Sequence, residues 1–177
     1  MINGINSREM ILEILLEIEE GEHSHVAIRN ALSKYQFLPK QDRAFITRVC
    51  EGTLEYRIQI DYIINSFSKV TVDKMKPAIR EILRSAVYQL KYMDSVPDSA
   101  VCNEAVKLAQ RKGFYNLKPF VNGVLRTIAR EWKNLKLPSR EENPVRYLSV
   151  RYSMPETLVN RWLEDYGEEK TEKIKKS

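Results

Sequence analysis

The sequence predicts an all-α fold, and three observations carry that prediction. The chain has 177 residues but only six glycines and seven prolines, too little turn material for a set of hairpins. Its apolar residues recur at spacings of three and four rather than alternating, which is the period of a helix with one buried face. At 20.7 kDa and 43% hydrophobic residues, the chain can bury one core and still leave an appendage. No apolar run approaches the roughly 18 residues of a membrane span, and the opening MINGINSREM lacks the basic-then-apolar order of a signal peptide. A soluble, cytoplasmic protein with no membrane partner is expected.

Asn6 and Ser7 are good N-caps for a first helix built on Met10, Ile11, Ile14, Leu15 and Ile18, closed by Gly21. Its outer face carries Glu9, Glu13, Glu17 and Glu20, which makes it a poor landing place for RNA, with Arg8 in its first turn as the one candidate RNA contact. A second helix opens at Ser24, buries Ile28, Ala31, Leu32 and Tyr35, and ends before Pro39. From Pro39 and Asp42 the apolar positions stay in one arc as far as Phe67, which predicts a single long, central helix. Gly52 lies at the edge of that arc. A glycine there costs about 1 kcal/mol against alanine, so a close helix crossing is expected.

After a turn at 69–73, with Pro77 tolerated in the first turn, a helix buries Ile79, Ile82, Leu83, Ala86, Val87, Leu90 and Met93. The next runs from about Ser99 to Lys112 and buries Val101, Cys102, Ala105, Val106 and Ala109, ending in Arg111, Lys112 and Gly113 as a helix terminus prefers. The last helix of the body starts near Asn116 and packs through Val121, Val124, Leu125, Ile128 and Trp132. From Lys136 to Ser153 the interruptions at Pro138, Asn143 and Pro144 read as a linker along the body. A short amphipathic helix over MPETLVNRWLEDYG, stopped by Gly167, and the start of another follow. This divides the chain into a body, 1–135, and an extension, 136–177.

Charge separates the chain further. Residues 1–68 hold 7 Lys and Arg against 10 Asp and Glu, a balance of −3, whereas residues 69–133 hold 13 against 6, a balance of +7. A basic field localised in this way suits a polyanion, and with no membrane signal that polyanion is nucleic acid. Two stripes qualify. Arg80, Arg84, Tyr88 and Lys91 run along the flank of one helix, three cations with an aromatic suited to phosphate contact and stacking. Asn122, Arg126, Arg130 and Lys133, continuing the line of Lys118, occupy the outer face of the last body helix, where Glu131 is the only acid. The bland reading of each is a solvated helix face.

No catalytic chemistry is legible. There is no phosphate-cradling glycine loop and no zinc-spaced cysteine cluster. The only histidines, His23 and His25, share one turn without a third ligand, so polar turn residues are the plainer reading than a metal site. Cys50 and Cys102 fall in apolar helical contexts with no base beside them, and buried, reduced thiols are expected.

The segments QDRAFITRVCEGTLEYRIQID, EILRSAVYQLKYMDSVPDSAVCNEAVKLAQ, FVNGVLRTIAR and YSMPETLVNRWLEDYG carry a resemblance that covers nearly the whole chain. Together they resemble the NusB-like N-terminal domain of the RsmB (Sun/Fmu) family of small-subunit ribosomal RNA cytosine-5 methyltransferases. The resemblance implies a NusB-type helical bundle of two subdomains. It also implies a parent enzyme that uses S-adenosylmethionine, with its catalytic cysteines in a downstream domain. Neither Cys50 nor Cys102 matches that catalytic motif, so no catalytic residue carries over. The implied partners are small-subunit ribosomal RNA and the chain's own methyltransferase domain. Two other readings stand beside this one: a free-standing NusB-type antitermination factor that binds boxA RNA, and a helical packing module that binds no RNA. Against the antitermination factor stand the 44 residues past Lys133 and a first helix whose only arginine is Arg8.

Overall fold

The computed structural model describes residues 6–176, leaving the first five residues of the opening segment and Ser177 outside the described residues. Among the described residues the structure is helical throughout, with short 3-10 turns and no strand. The helices are α1 (Ser7–Glu19), α2 (Ser24–Lys34), α3 (Lys40–Glu55), α4 (Arg57–Phe67), α5 (Pro77–Tyr92), α6 (Asp98–Arg111), α7 (Lys118–Glu131), α8 (Pro144–Tyr152) and α9 (Glu156–Lys176). Asn6 caps α1 as its sequence position suggests, its side-chain oxygen accepting the Glu9 amide at 2.8 Å.

The centre of the molecule is α5, not the 39–67 segment. It packs against α1, α3, α4, α6 and α7, and is buried on nearly every side, including at Glu81, Ser85, Tyr88 and Gln89. The predicted long helix is two helices, because Tyr56 leaves helical geometry at φ −101°, ψ 19°. The apolar arc keeps its phase through that kink, which is why periodicity alone could not reveal it. The kink lets α3 pack on α1 while α4 turns toward α7 and α8. Gly52 performs its expected role for a side chain rather than a backbone: a Cβ there would lie inside the Tyr88 ring. One continuous core runs from Met10 and Ile11 through Ile60, Ile82 and Leu83 to Leu125 and Ile128, so α1–α3 and α4–α7 share one interior.

The linker reading of 136–153 does not hold, since α8 occupies half of it. Asn143 and Pro144, read as interruptions, are the start of this helix. The Asn143 side chain accepts the Arg146 amide at 3.0 Å as an N-cap, and Pro144 takes the first helical position, where its missing N–H costs nothing. Ser153, at φ 54°, closes it. Leu148, Met154 and Val159 form a second small core with Trp162 and Leu163. Gly167, at φ 78°, breaks α9 where the sequence places its stop, and the helix resumes beyond it.

The extension is fastened to the body by one buried amide. Gln59 of α4 donates from Nε2 to the carbonyls of Val150 (3.3 Å) and Arg151 (3.0 Å), two orphan acceptors at the end of α8. Its Oε1 accepts from the Tyr92 hydroxyl of α5. Alongside, the Tyr62 hydroxyl donates to the Lys136 carbonyl at 2.8 Å.

Candidate nucleic-acid interface

The two cationic stripes read from the sequence meet different fates. On α5, Arg80 pairs with Glu19 of α1 and donates to the carbonyls of Val72 (3.0 Å) and Met75 (3.1 Å). Arg84 is held more tightly still: Nε and Nη2 bond the two oxygens of Asp61 at 2.8 Å each, and Nη1 bonds Glu81 at 2.7 Å. Its side chain is only 11% exposed. Burial pushes the Asp61 and Glu81 carboxyls up from their ordinary range, with Arg84 opposing the rise. Burial pulls on Arg84 as well, but the bonds and charges of its two acids outweigh it and raise its pKa. Tyr88 is buried above Gly52, stacked on Tyr92 with ring centres 5.3 Å apart. Arg80, Arg84 and Tyr88 are therefore committed to internal partners.

Lys91 differs from them. Its ammonium lies 4.3 Å from the centre of the Tyr92 ring and 5.3 Å from that of Trp132, and donates to the Tyr92 hydroxyl at 3.0 Å. Burial, and then the charge of Arg151, lower its pKa. Arg8 is half-buried, bonded to Gln89 Oε1 at 3.2 Å and seated over the Phe45 ring, and burial lowers its pKa too. The acidic face of α1 answers the charge that terminates α6: Lys112 pairs with Glu9 and Glu13, and Arg111 with Glu9.

The α7 face stays open. Arg126 is half-buried, and its guanidinium is held by two neutral amides: Nε donates to Asn122 Oδ1 at 3.2 Å, and Nη2 to Asn103 Oδ1 of α6 at 2.8 Å. Lys118 donates to Gln110 Oε1 at 2.9 Å and lies over Tyr115. Arg130 and Lys133 are exposed. Among the described residues, no ion pair involves Lys118, Arg126, Arg130 or Lys133. Lys118, Arg126 and Lys133 are oriented by amide oxygens and aromatic rings, which fix a side chain without neutralising it. An anion arriving at this face displaces no carboxylate.

Three further residues, one at the α7 face and two nearer α8, were not among the sequence candidates. Tyr115, 63% exposed beside Lys118, offers a ring to stack on. Its signal was present as an aromatic in the turn before α7. Arg48 and Arg151, on α3 and α8, gave no such signal, because the groups they approach lie far away in sequence. Cys50 and Cys102 are free and buried, and burial raises both thiols, which keeps them protonated. His23 and His25 are exposed in the turn between α1 and α2, and no group of three metal-ligating side chains occurs among the described residues. No helix among them is long and apolar enough to cross a membrane.

Residues 5–130 match the NusB family. The chain is 37% identical over 169 residues, 94% of its length, to the "Probable ribosomal RNA small subunit methyltransferase B" of Bacillus subtilis (strain 168). It spans 37% of that protein, little more than a third. It is also 34% identical over 130 residues to the "Transcription antitermination protein NusB" of Dictyoglomus thermophilum, covering 73% of this chain and 85% of that one. Among solved structures, PH0851 superposes on 98% of this chain with a TM-score of 0.73 at 21% identity, and this chain spans 38% of it. At that identity the match concerns the fold alone, and it includes α8 and α9.

Proposed function

Given that the chain belongs to the NusB family, we propose that it is the RNA-binding module of a ribosomal RNA cytosine-5 methyltransferase, and that it grips small-subunit ribosomal RNA through the outer face of α7. The observation that carries this reading is the row of unneutralised cations on that face, with Lys118, Arg126 and Lys133 oriented by amides or rings and Arg130 exposed. Phosphate contacts from such a row position an RNA without reading its sequence. Tyr115 supplies a stacking surface at its start.

The methyl transfer would belong to a downstream domain bearing S-adenosylmethionine and the catalytic cysteines. The residues described here do not fit that cofactor, since they offer no strand leading through a glycine-rich turn into a helix. Their task is to bind and orient the substrate. The similarity to the Bacillus subtilis relative supports this reading over a free-standing antitermination factor, because it extends over 94% of the chain against 73% for the NusB relative.

The test is binding of the 177-residue chain to fragments of small-subunit ribosomal RNA. R126E/R130E is expected to weaken binding by at least tenfold with the fold intact by circular dichroism. Unchanged affinity in a folded double variant overturns the assignment of this face.

A further inference from the structure

Where α8 meets the body, four cations from four different segments gather near Tyr92 and Trp132, two of them, Lys91 and Lys133, against the rings themselves. Arg48 of α3 is exposed and donates from Nη2 to the Tyr92 carbonyl at 2.9 Å. Lys91 of α5 lies between the Tyr92 and Trp132 rings. Lys133, in the 3-10 turn after α7, has its ammonium 5.7 Å from the centre of the Trp132 ring. Arg151, exposed on α8, has its guanidinium 5.7 Å from the centre of the Tyr152 ring; its backbone carbonyl shares Gln59 with the Tyr92 hydroxyl, and its charge reaches Lys91.

None of the four takes part in an ion pair among the described residues. Glu55 is the acid whose charge reaches Tyr92, and it pairs with none of them. Gathering like charges around a half-buried lysine is unfavourable in the free protein, and the same arrangement attracts an anion strongly. Cations interleaved with aromatic rings also match what single-stranded nucleic acid requires, with phosphates on the cations and bases against the rings. Lys133 makes this cluster continuous with the α7 face.

We propose that this seam between the body and α8 is a second RNA subsite, in which Arg48, Lys91, Lys133 and Arg151 hold the phosphates of a single-stranded segment and Trp132 takes a base, the Tyr92 ring being stacked already on Tyr56 and Tyr88. The proposal rests on the RNA-binding reading and extends it: the RNA leaves the α7 face at Lys133 and crosses onto the extension. The bound strand then touches body and extension together, so binding holds α8 against α4 and α5. An acidic surface of another protein domain is the competing occupant.

The test uses the full chain carrying W162F, so that Trp132 is the sole tryptophan, titrated with a single-stranded RNA 12-mer and with the duplex of the same sequence. Single-stranded RNA is expected to quench Trp132 emission more than the duplex does. R48Q/R151Q, which leaves Lys91 and both rings in place, should lower the slope of log K against log salt by about 1.4, two phosphates at about 0.7 each. If RNA binds and R126E/R130E weakens it, while Trp132 emission and the R48Q/R151Q slope match the unsubstituted seam, the subsite is overturned and the protein-domain occupant takes its place. If the chain binds neither RNA, the RNA reading itself falls, and this inference with it.

Discussion

The flank of α5 and the outer face of α7 look alike in sequence and do opposite things in the structure. Each presents arginines and a lysine at helical spacing. On α5, Arg80 and Arg84 reach acids from α1 and α4, and Arg84 also bonds Glu81 one turn back on its own helix. On α7, Arg126 meets only the amides of Asn103 and Asn122, and Arg130 stands in solvent. A cation's availability is therefore set by which carboxylate the fold brings to it. The α5 arginines hold helices together, and the α7 arginines carry no ion pair among the described residues.

The comparison can be broken first at Arg84. R84M strands Asp61 and Glu81 in a largely buried site, and removing one partner of such a cluster costs about 3–5 kcal/mol. A fall of roughly 10 °C in Tm is expected by calorimetry. Substituting all three by apolar residues should recover much of that loss, which a purely additive cost could not do. If R84M melts like the parent chain, the α5 flank is not scaffolding.

A smaller loss is expected at the fastening of α8. Q59L leaves the Val150 and Arg151 carbonyls without their donor and the Tyr92 hydroxyl without its acceptor, at about 1–3 kcal/mol. Hydrogen exchange should quicken in α8 and α9 while α1 and α5 keep their protection. Uniform acceleration would mean that the extension and the body open as one unit. At Gly52 the sign is diagnostic, because alanine in an ordinary helix position gains about 1 kcal/mol, whereas here its Cβ meets the Tyr88 ring and a net loss of about 1–2 kcal/mol is expected from overpacking. Urea denaturation of G52A, Y88L and the double variant should show the two changes coupled, with the double less destabilised than the sum.

Much of this fold was legible because its signals are local. The apolar spacing of α1, α6 and α7, the glycine stop at Gly167 and the outward row from Lys118 to Lys133 need nothing beyond one helix to be read. What escaped depends on context. Asn143 and Pro144 are punctuation in either case, and only the helix that follows shows them to be a cap and a first turn rather than a break. The kink at Tyr56 preserved the apolar phase and so left no trace in the pattern. Arg84 looked free because Asp61, the acid that takes both ends of its guanidinium, lies 23 residues earlier on another helix. Arg48 approaches Tyr92 across 44 residues, a juxtaposition no spacing rule could have found.

The claim that unpaired charge on α7, rather than cationic pattern alone, makes the RNA-facing surface is tested most directly by salt dependence. R126Q/R130Q should cost the chain no more than about 1.5 kcal/mol, the worth of the Arg126 bonds to Asn103 and Asn122. It should also lower the slope of log K against log salt by about 1.4 on single-stranded RNA. A slope equal to that of the unsubstituted chain, in a protein that stays folded and still binds RNA, would contradict it.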